Sequence, residues 1–109
     1  MTTEEQNWYT FASKLNSFLI DKGYKMVCFN HSHCRQYCLG NVANFSIYYD
    51  YQEISFTKDL YSRWYSMGFN EDAEYKPDFK LLAKCADEIL TQYKHQVLVN
   101  KLLKAQNDF

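Results

Sequence analysis

The chain is poor in the residues that interrupt regular structure, because it has three glycines and one proline among 109 residues. Linkers and disordered segments are usually richer in both, and 47% of the residues are hydrophobic, so we predict one folded domain over residues 1–109. No apolar run in the sequence approaches the ~18 residues of a membrane span. The N-terminus is acidic, unlike a secretory signal. We therefore expect a cytoplasmic protein, not bound to a membrane, with its four cysteines as thiols.

Motifs for catalysis and cofactor binding are also missing. Gly23, Gly40 and Gly68 are isolated, so no glycine-rich phosphate loop is present, and no pair of carboxylates stands out. The net charge is −1 with both signs interspersed, which counts against bulk binding of a nucleic-acid backbone. We predict a protein that is not an enzyme and that carries no cofactor.

Apolar spacing and end signals predict three helices. The first covers residues 3–22, with two overlapping capping boxes within Thr2–Gln6 and a left-handed C-cap at Gly23. A short helix is predicted from Asp59 to Gly68, and a long one from Pro77 to about residue 106.

The middle of the chain predicts an antiparallel meander of three to four strands. Strands are expected at 24–30, 35–39 and 42–49 and around Ile54, with a two-residue turn at Gly40-Asn41. Alternation over 42–49 places four side chains toward the helices: Ala43, Phe45, Ile47 and Tyr49. The predicted fold is α+β, with the N-terminal, short and long C-terminal helices on one face of the sheet.

The long C-terminal helix changes its apolar face near its end. One stripe contains Phe79, Leu82, Ala83, Ala86, Ile89, Leu90, Tyr93 and Val97. Four further apolar residues lie off that stripe: Leu98, Val99, Leu102 and Leu103. This end could fray or pack on the first helix, or it could dock on another chain, as a homodimer or with a partner. We adopt the docking interpretation for residues 97–103.

The densest group of metal-ligating side chains is Cys28, His31, His33, Cys34 and Cys38. Four of these residues lie within His31–Cys38, and no second ligand pair lies twelve or more residues away. Strand alternation also sends some of them to opposite faces, so we predict no metal site. His33 and Cys34 are adjacent and point apart in an extended chain, although His31 or His95 could approach a cysteine. A metal-binding or thiol-enzyme domain remains the second alternative.

Aromatic side chains are in surplus: twenty of the 109 residues are aromatic, and ten of these are tyrosines. A core this small is expected to bury fewer, and tyrosine is frequent at binding surfaces. We expect Tyr48 to project from the open sheet face with Asn44 and Ser46, and Tyr37 to join it. The predicted binding residues are Tyr37, Tyr48, Tyr51, Trp64, Tyr65, Tyr75, Leu98 and Leu102.

These features favour a small protein-binding module that acts as an inhibitor or adaptor by covering a surface of its partner. One hypothesis is a phage or mobile-element protein directed at a host defence complex. The first alternative is a single-stranded nucleic-acid binder that uses the sheet aromatics with a row of lysines at Lys76, Lys80 and Lys84. The nearest cations to those aromatics are expected to be Lys25 and Arg35.

Overall fold

The computed structural model describes residues 2–29 and 33–107, and its architecture is α+β. The strands are hydrogen-bonded in chain order and every pair is antiparallel, so the sheet is a meander. The elements are α1 (Thr3–Asp21), β1 (Lys25–Phe29), β2 (Cys34–Leu39), β3 (Val42–Tyr48), β4 (Glu53–Thr57), β5 (Trp64–Gly68) and α2 (Phe79–Asn107). The predicted fold class is confirmed, with five strands in place of three to four.

Helix α1 begins and ends where its capping residues predict. The Thr2 hydroxyl accepts a hydrogen bond from the Glu5 amide at 3.1 Å. At the other end, the Gly23 amide donates to Ile20 and the Tyr24 amide to Leu19, both at 3.0 Å. Gly23 has a φ of 103°, a left-handed conformation that glycine adopts without a steric penalty. This Schellman motif turns the chain directly into β1.

One face of the sheet packs against both helices and forms the core. Fully buried residues on this face include Tyr37, Phe45, Ile47, Ile54, Phe56 and Met67. They belong to one cluster with Trp8, Ala12, Leu15 and Leu19 of α1 and Leu82, Ala86 and Ile89 of α2. The opposite face, called the open face here, carries a cross-strand row of polar residues: Gln36, Ser46, Ser55 and Ser66. The expectation that Asn44 and Ser46 project from this face into solvent was wrong, because both are buried. The core therefore lies entirely on one side of the sheet.

A β-bulge in β3 changes which side chains reach the core. Tyr37 is paired with Phe45, but the next residue, Cys38, is paired with Ala43, so Asn44 is the extra residue. Beyond the bulge Val42 packs against the core, and the prediction that Ala43 takes this place was wrong. A bulge is set by tertiary pairing, and simple alternation does not predict it.

The segment predicted as a short helix forms a turn followed by β5. The Ser62 hydroxyl accepts hydrogen bonds from the Lys58 and Asp59 amides at 3.1 Å, which closes the turn. Tyr65 and Met67 then pair with Phe56 and Ile54 of β4. Apolar residues in 60–67 fit helical spacing, and only Tyr65 and Met67 alternate toward the core, so strand pairing decides the outcome.

Helix α2 extends well beyond the part of the molecule that it stabilises. It begins at Phe79, two residues after Pro77, where the Asp78 carboxylate accepts a hydrogen bond from the Leu81 amide at 3.1 Å. Its 29 residues span about 44 Å, and the whole molecule measures 63 × 26 × 22 Å. Within the described ranges, neither helix has the length and apolar content needed to cross a membrane.

Candidate protein-binding interface

The eight predicted binding residues do not form one surface. One lies in the core, and two belong to a packed aromatic cluster at β5. Three lie on the open face or in a turn beside it, and two lie near the end of α2. Each place offers different chemistry, so each is described separately.

Tyr37 is a core residue, and the prediction that it projects from the open sheet face was wrong. Its side chain is fully buried, and its hydroxyl donates a hydrogen bond to the side chain of Asn16 on α1. Burial raises the pKa of the Tyr37 hydroxyl well above its usual range. The cause is register: Tyr37 pairs with Phe45 and therefore lies on the helix-facing side. Tyr37 is not accessible to a partner.

Tyr65 and Tyr75 are half-buried and already contact other side chains. Their rings pack edge-to-face at 5.9 Å, and the Lys58 ammonium lies 4.5 Å and 4.9 Å from the two ring centres. The Arg63 guanidinium lies 3.8 Å from the Tyr65 ring and bonds the Glu74 carboxylate at 3.1 Å. That hydrogen bond holds the pKa of the Glu74 carboxyl below its usual value. These rings fasten residues 74–75 to β5, which leaves little of them for a partner.

The exposed aromatic residues of the open face are far apart. Trp64 is 42% exposed and Tyr48 is half-buried, while Tyr51, in the β3–β4 turn, is 69% exposed. Tyr48 pairs with Glu53 of β4, and Glu53 pairs with Gly68 of β5. Trp64 lies four residues before Gly68 along β5. Strand geometry then separates Tyr48 and Trp64 by about 16 Å, with the serine row between them. They do not form a continuous stacking platform.

Neither of the two cations predicted to lie nearest to these aromatics is at the middle of this face. Arg35 is paired with Ile47 on the helix-facing side, and its guanidinium lies 5.1 Å from the Tyr49 ring. Lys25 is exposed at the β1 edge. This arrangement counts against the single-stranded nucleic-acid alternative, which needs cations beside its stacking residues.

The last part of α2 has the largest group of exposed aliphatic side chains. Leu90 and Tyr93 are the last residues of α2 that pack against the core. The packed stripe therefore ends one turn before Val97, where the predicted stripe ended. Residues 94–107, called the α2 tail here, extend past them. Leu98, Leu102 and Leu103 are 56%, 57% and 53% exposed, and Val97 and Val99 are half-buried. A helical segment with this apolar surface suits docking on another chain.

No protein-family model, curated protein or solved structure matches this chain. Its function is therefore inferred from its own residues.

A cleft of about 650 Å³ lies between α1 and the adjoining end of the sheet. Tyr9 stacks on Tyr49 on one side, with ring centres 6.4 Å apart, and Arg35 covers Tyr49. Burial raises the pKa of the Tyr49 hydroxyl, although Arg35 acts in the opposite direction. Sequence patterns gave no signal for this cleft, because residues from α1, β2 and the β3–β4 turn meet there only in the folded chain.

The same cleft contains part of the predicted cysteine–histidine group. His33 Nδ1 lies 2.9 Å from Asp50 Oδ1, a hydrogen-bond contact at the surface with both side chains more than half exposed. The Cys28 thiol is exposed and donates to the Met26 sulfur at 3.2 Å, while Cys34 is buried, which raises its thiol pKa. Among the described residues, no three His, Cys, Asp or Glu side chains converge on a metal position. His31 lies outside the described residues.

We expect the protein to carry no stoichiometric zinc and the Cys28→Ser, Cys38→Ser double variant to fold normally. Cys28 is exposed and Cys38 is partly buried, so the lost packing should change the free energy of unfolding by about 1 kcal/mol or less. Elemental analysis and thermal denaturation measure both quantities. One zinc per chain, together with unfolding by a chelator, would overturn this prediction.

Proposed function

We propose that the chain is a small, non-enzymatic, cytoplasmic protein-binding module that docks on another protein chain through the α2 tail. It would act as an inhibitor or adaptor by covering a surface of that chain. We extend the hypothesis to a phage or mobile-element protein that blocks a host defence complex.

The observation that carries the proposal is the exposure of Leu98, Leu102 and Leu103 on a helix that has left its own core. Burying a leucine side chain is worth about 1.5–3 kcal/mol, so a partner that covers this surface gains substantial free energy. Because these residues lie on an α-helix that is already formed, binding costs little further backbone conformational entropy.

Neither alternative has comparable support. The nucleic-acid alternative needs a continuous aromatic platform with a cation in its centre, and residues 2–29 and 33–107 provide neither on the open face. The thiol-enzyme alternative would need a base beside the Cys28 sulfur, and the contact of that sulfur is with Met26. His33, the imidazole in the same cleft, is bonded to Asp50.

The test is affinity capture from the native host with the full chain, compared with a Leu98→Lys, Leu102→Lys variant. The matched control is Ile20→Lys, Tyr61→Lys, which adds the same charge at positions that are 45% and 74% exposed and that are not among the predicted binding residues. We expect a protein captured in stoichiometric amounts by the unsubstituted chain and by the control, but not by the leucine variant. Equal capture by all three proteins would refute the assignment to the α2 tail.

Salt dependence separates this function from nucleic-acid binding. Affinity that comes from phosphate contacts falls by orders of magnitude between ~50 mM and ~200 mM salt, whereas a mainly apolar protein interface is much less sensitive. If the chain captures nucleic acid and this binding is lost over the same salt range, the nucleic-acid alternative is favoured.

A further inference from the structure

We infer that the α2 tail docks in an apolar groove of another protein that has acidic residues along one rim, and not on a second copy of this chain. The inference rests on the proposed function and names the chemistry of its partner. It is drawn from the distribution of charge and apolar surface around the tail.

The apolar residues of the tail cover a wide sector of the helix. At about 100° per residue, Leu98, Leu102, Val99 and Leu103 follow one another over ~140° of the circumference. Two polar residues of the tail, His95 and Gln106, also fall within this sector, one turn before and one turn after the apolar group. The three leucines are each more than half exposed. A second helix packed alongside covers only the narrower stripe of a two-helix seam, so part of this sector would stay in water. A groove with two walls covers the whole sector.

The two edges of this sector differ in charge. Lys94 and Lys101, seven residues apart and both exposed, lie ~40–60° outside Leu98. Gln96 and Asn100 lie beyond Leu103 on the other edge, and their side chains are hydrogen-bonded to each other at 3.2 Å. Residues 94–107 include three lysines and no aspartate or glutamate. The complementary groove therefore has carboxylates on the Leu98 side and a neutral polar rim on the other.

The same charges disfavour a homodimer of tails. An antiparallel pair that matches Leu98 with Leu102 of the second copy centres on residue 100. Lys101 then lies beside Lys101 of the second copy, and two segments rich in lysine are brought together. Repulsion between these lysines weakens the association of the two helices.

An anionic membrane surface fits less well. Helices that lie on membranes carry basic residues across the polar face and often insert aromatic side chains. In the tail, Lys94 and Lys101 lie at one edge of the apolar sector and Lys104 lies about 60° further round on the polar face, whereas the other edge has the neutral amides of Gln96 and Asn100. Basic residues therefore cover only part of the polar face, and residues 94–107 contain no aromatic residue.

The test uses the full chain and calcium-loaded calmodulin as the probe, because its groove is apolar and open and accepts amphipathic helices. We expect binding that disappears when calcium is chelated, since the groove then closes. Lys94→Glu with Lys101→Glu should weaken binding at least about tenfold. The matched control, Lys80→Glu with Lys84→Glu, reverses two exposed lysines on the part of α2 that packs on the domain and should bind like the unsubstituted chain.

Two further measurements complete the test: light scattering of the chain alone, expected to give a monomer, and co-sedimentation with phosphatidylserine vesicles, expected to give no binding. The inference is overturned by absent calmodulin binding, by equal effects of the two lysine pairs, by vesicle binding or by a dimer. Circular dichroism checks that every variant is folded. Suppose that the unsubstituted chain forms a dimer or binds vesicles. If Leu98→Lys with Leu102→Lys abolishes that association, the tail remains the docking segment and only the acidic-groove inference fails. If that variant binds calmodulin like the unsubstituted chain, the tail assignment fails as well.

Discussion

Replacing Phe45 with alanine is expected to lower the free energy of unfolding by about 3–5 kcal/mol. Phe45 is fully buried at the centre of the sheet, and its ring packs edge-to-face on Tyr24 at 5.5 Å. Its neighbours on β2 and β4 are Tyr37 and Phe56, which are also fully buried. Water could therefore enter the cavity left by the ring only at a high cost in free energy. The total free energy of unfolding of a domain is about 5–15 kcal/mol, so the variant should be close to unfolding. Urea denaturation measures the change.

The matched control for Phe45 is Tyr51→Ala, which truncates an aromatic ring that is 69% exposed. This change should alter the free energy of unfolding by about 0.5 kcal/mol or less. Equal destabilisation by the two substitutions would show that Tyr51 supports the fold and is not available to a partner.

The Leu98→Lys, Leu102→Lys variant is expected to melt like the unsubstituted chain but to bind its partner at least about 100-fold more weakly. Neither leucine contacts the core, and lysine has a helix propensity close to that of leucine. Two leucines removed from an interface forfeit about 3–6 kcal/mol, which corresponds to at least about a hundredfold change in the dissociation constant. Thermal denaturation and a binding titration measure the two effects separately.

Leu82→Lys is the control for this variant, because it makes the same substitution on the same helix at a fully buried position. A lysine there would bury a charge in the core, and we expect the protein to unfold. If the double variant at the end of α2 unfolds in the same way, the tail supports the fold and the docking assignment is wrong.

The elements that depend on local rules were predicted correctly from the sequence. The first helix has its N-cap at Thr2 and its left-handed C-cap at Gly23, and the turn at Gly40-Asn41 joins β2 to β3. These signals act over a few residues, so neighbouring sequence is enough to specify them. The order of the strands follows from the short connections between them.

The errors arose where distant parts of the chain decide the outcome. Residues 64–68 have a mixed pattern and become a strand because β4 pairs with them. Tyr37 faces the core because of its register with Phe45, and the bulge at Asn44 then moves Val42 to the inner side. None of these pairings is visible in a local window of sequence.

The aromatic surplus was a weaker guide to exposed apolar surface than the pattern of leucines. Several of the rings pack on one another, as Tyr65 and Tyr75 do, so their number overstated the surface available to a partner. The change of apolar face along α2 predicted Leu98 and Leu102 as binding residues, and both are exposed. That they bind a partner remains a proposal.

Site-specific photo-cross-linking in the native host tests the central claim most directly. A photoreactive p-benzoylphenylalanine is placed in turn at Leu102 on the α2 tail, at Trp64 on the open face and at Tyr51 in the turn, all of which are exposed. We predict an adduct with one protein from position 102 and none from positions 64 and 51. Adducts from position 64 or 51, with none from position 102, would contradict the assignment of the interface to the α2 tail.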